Sequence, residues 1–506
     1  MGTPPTYWLT RFLVLRLLGL VYCVAFLCLV QQGLPLIGAH GLLPAVTFLD
    51  RLQEHFGSRG AAFLQLPSLF WLDVSDRFMV TMAAVGLALS LLVLLGWANA
   101  ILMTLLWALY LSFVHIGQDW YGYGWEIQLL ETGFLAIFLC PLLDPRPFPR
   151  RPTPTAVVWL LRWLIFRIML GAGLIKLRGD PCWRDLTCLY YHYETQPLPN
   201  PLSRTLHFMP RWFHQLGALF NHLSELVAPW FVFAARPFRH AAGVLLLSFQ
   251  IFLIVSGNLS FLNWLTIVPI LACFDDSWLR HVLPGWLVER AVRAAATARP
   301  SRAQQVAVAA LVGVVAVLSV APVRNLVSPH QAMNTSFNRL ELVNTYGAFG
   351  SVGRERHEIV FEGTADPVVT DATAWRAYEF KCKPGDLARR PCIVAPYQYR
   401  IDWQIWFAAM STPARYPWTL HLVSKLLHND PGALALLAND PFPGAPPHYV
   451  RARLFHYEFA PPGAASGDWW RRTLLAEWLP PLSVDDPRLL RFLAAYGWNS
   501  SPRTGD

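Results

Sequence analysis

Nine apolar runs dominate the first two thirds of the chain, at 12–30, 78–96, 98–116, 125–143, 156–177, 218–235, 241–256, 259–275 and 304–321. A helix needs about 20 mostly apolar residues to cross the hydrocarbon core of a bilayer, and its backbone must be satisfied internally there. Runs of this kind leave little choice but a polytopic helical membrane domain. Charged residues make up only 14% of the 506 residues, against about 25% in soluble globular proteins. The first run lacks a small-x-small cleavage site behind it, so it reads as a retained helix with a cytoplasmic N-terminus.

The net charge of +9 does not point to nucleic acid, because the arginines fall in short loops between apolar runs. Arg146, Arg150 and Arg151, then Arg236 and Arg239, then Arg280, Arg290, Arg293, Arg299 and Arg302 lie on one side of a nine-span arrangement. This is the charge bias of cytoplasmic loops. It sends the loop at 178–217, and everything beyond the last span, to the other side. A multi-span domain is therefore expected over 1–331 and a non-cytoplasmic domain over 332–506. The host membrane would be the inner membrane in a bacterium or the endoplasmic reticulum in a eukaryote. No inverted repeat or pair of broken helices favours a transporter.

Cysteine placement fits that topology. Cys182 and Cys188 fall in the outside loop, and Cys382 and Cys392 in the outside domain, so two disulfides, Cys182–Cys188 and Cys382–Cys392, are expected in an oxidising compartment. A metal site is the rival reading, but no second C-x2-C pair supports one. Beyond residue 332, 359–362, 375–382 and 449–459 read as strands. Helices are expected at 401–410, 419–428, 431–437, 469–478 and 487–496, with Asp430-Pro431 and Asp486-Pro487 as helix starts. The outside domain is thus α+β with a small sheet. Along 449–459 the alternation leaves open which face is buried.

Ionisable residues within the apolar runs are the first candidates for a site, since each is costly in hydrocarbon unless paired. Arg162, Arg167 and Lys176 of the fifth run are expected to pair with Glu126 and Glu131 of the fourth. His192 and Glu194 follow the cysteine loop, where a His-x-Glu strand could present both groups on one face, or could simply pack at the interface. In the segment 399–407, Arg400 and Asp402 could cap and pair. Trp403, Trp406 and Phe407 either pack in a core or offer an aromatic patch to a partner. No nucleotide, hydrolase or metalloprotease motif is present, and no cofactor is indicated.

The strings GWEIQLLETGF at 124–134, DPCWRDLTC at 180–188, YETQPLPNP at 193–201, NTYGAFG at 344–350 and RIDWQIWF at 400–407 resemble the lipase maturation factor family over nearly the whole chain. In animals such proteins are multi-pass residents of the endoplasmic reticulum that assist folding and assembly of secreted dimeric lipases. The resemblance implies a chaperone-like membrane factor for a secreted client, with the bilayer and that client as partners. A shorter stretch, GAGLIKL at 171–177 with Trp183, is similar to the vitamin K-dependent carboxylase and related transmembrane families. It implies an alternative, a membrane enzyme acting on a lipid-soluble cofactor or a secreted polypeptide, with Lys176 as its base.

Overall fold

The computed structural model describes residues 5–464 and 466–498. Among these, five helices are long and apolar enough to cross a membrane: Trp8–Ile37 (α1), Asp76–Leu95 (α2), Thr155–Arg178 (α5), Arg236–Ser256 (α7) and Arg302–Val327 (α9). Ala100–Ile116 (α3), Gly124–Leu139 (α4) and Leu262–Ile270 (α8) are shorter and apolar. Close packing of α1 depends on glycine. A methyl group at Gly86 of α2 would lie 2.1 Å from the Phe26 ring, and one at Gly133 of α4 would lie 2.0 Å from the Tyr22 hydroxyl.

The run at 218–235 is helical as far as Phe231 but is not a uniform α-helix. An amphipathic helix, Arg211–His222 (α6), passes into a wide π turn at Leu223–Val227 and a single short turn at Ala228–Phe231. Glu225, an acid inside this apolar run, turns inward to meet Lys176. A wide turn adds a residue to the helical ladder and re-aims side chains, which is why such turns recur at functional sites.

Beyond α9, a four-stranded antiparallel sheet in the order β2-β1-β3-β4 is built from Arg356–Thr364 (β1), Arg376–Tyr378 (β2), Tyr449–Phe459 (β3) and Trp470–Leu482 (β4). The expected helix at 469–478 is in fact most of β4. Its sequence, WWRRTLLAEW, carries no strict alternation to mark a strand, because residues 471–477 are exposed on both faces. The face of β3 left open by alternation also has a structural answer. Both faces are covered: Val450 and Ala452 on one face join the main core, while Phe455, Tyr457 and Phe459 on the other pack with Trp470 in a second cluster. The helices Arg400–Ala409 (α10), Trp418–Leu427 and Pro487–Ala495 stand where the sequence places them. Asp430 and Asp486 accept from the backbone amides of Ala433 and Arg488 as N-caps.

Two buried ion pairs fasten the sheet-bearing part to the helices. Arg400 Nη1 donates to Glu126 Oε1 of α4 at 2.7 Å and to the Trp120 carbonyl at 2.6 Å, with its guanidinium 3.5 Å from the Tyr121 ring centroid. Tyr110 donates to the other Glu126 oxygen. Glu131 pairs with Arg167 and accepts from the Asn344 amide at 3.0 Å and the Tyr346 hydroxyl at 2.7 Å. Arg167 in turn donates to the Asn344 carbonyl at 2.6 Å. Of the expected pairs between α5 and α4, Arg167–Glu131 forms. Arg162 instead donates to the Ala272 carbonyl and the Tyr7 hydroxyl, and Lys176 turns to Glu225. Arg400 pairs with Glu126 rather than with Asp402, whose carboxylate accepts from the amides of Cys382 and Lys383.

Breaking one half of such a pair leaves a buried charge uncompensated. Arg400→Met is expected to lower stability by about 3–5 kcal/mol, while the double variant Arg400→Met/E126Q recovers most of the loss. Thermal unfolding in detergent micelles reads both. Nearby Glu341, with one carboxylate oxygen buried and unpartnered, is pushed up to about 7 by burial and by the Glu126 charge. A raised carboxyl pKa means that the folded state holds the extra proton between about 4.5 and 7, so stability falls as pH rises through that window. E341Q should remove the decline and be more stable at pH 7.5 by up to about 3 kcal/mol, as read from unfolding midpoints across pH.

Candidate functional site

A cavity of about 440 Å³ lies where the two parts of the chain meet. Its walls are the ends of four helices: Trp125 and Gln128 of α4, Ile168, Met169 and Ala172 of α5, Phe249, Gln250 and Leu253 of α7, and Leu262, Asn263 and Thr266 of α8. The loop 346–353 and the aromatic face of α10 cover it. That loop lies directly on α5. A methyl group at Gly171 would fall 2.4 Å from the Tyr346 carbonyl, and one at Gly179 would fall 2.2 Å from that of Gly350. Trp183 Nε1 also donates to the Phe349 carbonyl at 2.8 Å, so the disulfide loop and the cover are joined.

The cavity floor is polar but uncharged. Gln128 donates to Thr266 at 3.0 Å, and Asn263 donates to Gln250 Oε1 at 2.8 Å. A smaller cavity of about 70 Å³ adjoins it, with His192, Glu225 and Phe349 on both linings. Here Lys176 Nζ donates to Glu225 at 2.6 Å and Asn221 at 2.8 Å, under the Trp183 ring at 4.8 Å. The ammonium is therefore fully engaged and its charge is balanced.

Of the candidates named from sequence, four meet at the cavity: His192, Trp403, Trp406 and Phe407. Burial, reinforced by the Lys176 charge, pushes the His192 imidazole down to about 4, so it faces the cavity neutral, edge-on to Phe349. Trp403 is 4% exposed and packs on Trp125, with ring centroids 4.9 Å apart. Trp406 is half-buried and donates to the Thr195 carbonyl. His192 and Glu194 stand on a short helix, Leu189–Thr195, rather than on a strand. Two residues apart on a helix they point to different sides. Glu194 accepts from the Phe459 amide of β3 at 2.6 Å, and burial raises its carboxyl. Glu126, Glu131, Arg400 and Asp402 do not line the cavity but hold its framework. The cysteines pair as Cys182–Cys188 and Cys382–Cys392. Those of the first pair sit beside Asp180 in the single group of potential metal ligands among the described residues, and their thiols are consumed by the disulfide.

Sequence reasoning missed the partners. Glu225 was visible as an acid within an apolar run, as were the amides Gln128, Gln250 and Asn263. Arg356 had no local signal. It sits fully buried in β1, donating to the carbonyls of Glu194, Gln196 and Pro197 and pairing with Glu358, which also takes Lys383.

Residues 9–281 match the family model described as the lipase maturation factor transmembrane domain, and residues 342–480 match the lipase maturation factor C-terminal domain. Lipase maturation factor 1 of Bos taurus is 51% identical, with 96% of this chain and 90% of the relative covered. Lipase maturation factor 1 of Homo sapiens is 49% identical over 96% and 89%. Lipase maturation factor 2 of Homo sapiens is 31% identical over 98% and 86%. No solved structure matches the chain. The alternative of an enzyme with Lys176 as base finds no support in these matches. With both parts matched, and with relatives aligned along nearly their whole length, the chain belongs to the lipase maturation factor family.

Proposed function

We propose that this protein is a membrane-embedded maturation factor that assists folding or assembly of a secreted lipase on the non-cytoplasmic side of its membrane. The observation that carries the reading is the similarity, over 95–96% of the chain, to relatives named lipase maturation factor 1. The compartment follows from chemistry. Both disulfides lie on the side of the cavity and sheet, and disulfides persist where the surroundings oxidise. The arginine-rich loops form the opposite end, where the backbones of Arg150 and Arg299 meet in a hydrogen bond. The endoplasmic reticulum is the membrane that suits a lipase on its way to secretion. The N-terminus then faces the cytoplasm.

The client surface in this proposal is the edge of β4. It is one of the two edge strands, its residues 471–477 are exposed, and Leu474 and Leu475 stand about half exposed there. An open strand edge with apolar side chains templates pairing with another extended segment. An unassembled secreted chain supplies such segments. Trp403, by contrast, is buried in the joint and serves the framework of the cavity.

A photoreactive amino acid at Leu475 is expected to capture a co-expressed secreted lipase, and one at Trp403 is not. Leu474→Glu with Leu475→Glu should reduce secreted active lipase several-fold while the factor itself accumulates normally. Unchanged lipase output with no capture at Leu475 would remove the β4 edge from the mechanism. Normal lipase maturation in cells lacking the whole chain would remove the function.

A further inference from the structure

Arg16 is the one charged residue of the first apolar run. It stands on α1 one turn before Gly19, where a methyl group would fall 2.7 Å from the Leu94 amide nitrogen of α2. That close crossing sets the guanidinium against the end of α2. A methyl group at Gly96 would lie 3.2 Å from Arg16 Nη1 and 3.1 Å from the Pro147 ring. Phe12, stacked on Phe148, closes another side, with its ring centroid 5.2 Å from Arg16 Cζ. Nε and Nη1 are enclosed in this crevice, and Nη2 is the guanidinium nitrogen that stays accessible. Among the described residues no carboxylate pairs with Arg16. Asp144, the acid of the adjoining loop, is taken by Arg146 at 2.6 and 2.8 Å.

A cation within a membrane helix is costly unless something neutralises it. The surface beside Arg16 shows what can. Gly96 stands between Leu95 and Trp97, which are 70% and 50% exposed, and indoles settle where acyl chains give way to head groups. Nη2 therefore opens at the level of the lipid phosphates. The charge around it is positive. Arg11, five residues earlier on α1, donates to the Arg151 carbonyl at 2.9 Å, and Arg151 donates to that of Arg299. A zwitterionic head group would carry its own cation into this field, whereas an anionic one brings only the charge that Arg16 lacks.

We propose that α1, the end of α2 at Gly96 and the loop 144–148 form a site for one anionic phospholipid. Arg16 Nη2 donates to a phosphate oxygen, and the acyl chains lie along the exposed Leu91, Leu92 and Leu95 of α2. A hydrogen bond between a guanidinium and a phosphate is charge-assisted, and so stronger than one between neutral groups. A free phosphate ion shares the head-group chemistry, but the exposed leucines beside the crevice favour a ligand with acyl chains. This inference does not depend on the secreted client or on the cavity at the joint.

The test titrates the full chain, in detergent micelles, with dioleoylphosphatidylserine or dioleoylphosphatidylcholine and counts retained lipids by native mass spectrometry. Wild type is expected to hold one phosphatidylserine at a several-fold lower lipid concentration than phosphatidylcholine. Arg16→Gln should raise that concentration roughly tenfold. Arg290→Gln, the same charge change on another exposed arginine of the same end, should leave it unchanged. A phosphatidylserine with a diazirine in its acyl chain maps the site in the wild-type chain, so the test stands even if Arg16→Gln fails to accumulate. Labelled peptides from α1 and from the end of α2 are expected. Equal retention of the two lipids, equal affinity in wild type and Arg16→Gln, or labelling that avoids both helices would overturn the proposal. Displacement of the phosphatidylserine by excess inorganic phosphate would overturn it too, by making this a free-anion site.

Discussion

The Glu126–Arg400 pair is the interaction on which the rest of the arrangement depends. Neither charge is exposed at all, and the two come from residues 274 positions apart. A lone carboxylate at the end of a membrane helix and a lone guanidinium under a sheet would each carry a large desolvation penalty. Together, with Tyr110 and the Trp120 carbonyl as further partners and the Tyr121 ring against the guanidinium, they are tolerable. The pair is satisfied only when α10 sits on α4. It therefore specifies one docking of the two parts, where hydrophobic contact alone would allow sliding. Glu131, Arg167 and Asn344 repeat the device on the loop that roofs the cavity.

What could be read from the sequence follows from how local each cause is. Hydropathy over twenty residues is local, so the long helices were legible. Close cysteine pairs and acidic residues before proline are local too, and Cys182–Cys188, Cys382–Cys392, Asp430 and Asp486 stand as expected. β4 was not legible, because a strand exposed on both faces has no alternating pattern to betray it. The segment 218–235 was legible as a helical run, but not its detail. Its hydropathy marks the helix, while the wide turn that carries Glu225 to Lys176 depends on a distant partner.

The candidate site was half legible. His192, Trp403, Trp406 and Phe407 stood out from the sequence, and they do converge. Their convergence is produced by Arg356 and Arg400, which bind backbone carbonyls and acids far away in the chain. The geometry that turns four conspicuous residues into a cavity wall is thus set by long-range hydrogen bonds, for which no spacing rule exists. The pairing of Lys176 was misassigned because acids were sought on the neighbouring helix in sequence, while the nearest acid in space comes from the turn at 223–227.

The joint also bears on how the cavity and the proposed client edge relate. The cavity roof is held by the Glu131 and Arg400 networks, and Arg356 ties β1 to the segment 194–197 beside the cavity. β1 is paired to β3 along nine residues and β3 to β4. A rigid chain of contacts therefore runs from the cavity wall to the open edge where a client is proposed to dock. Buried ion pairs of this kind have one satisfied arrangement, and partial opening would expose each charge to an unmatched environment. The shape of the cavity and the position of the β4 edge are then linked through stability: both belong to the single conformation in which Glu126 meets Arg400.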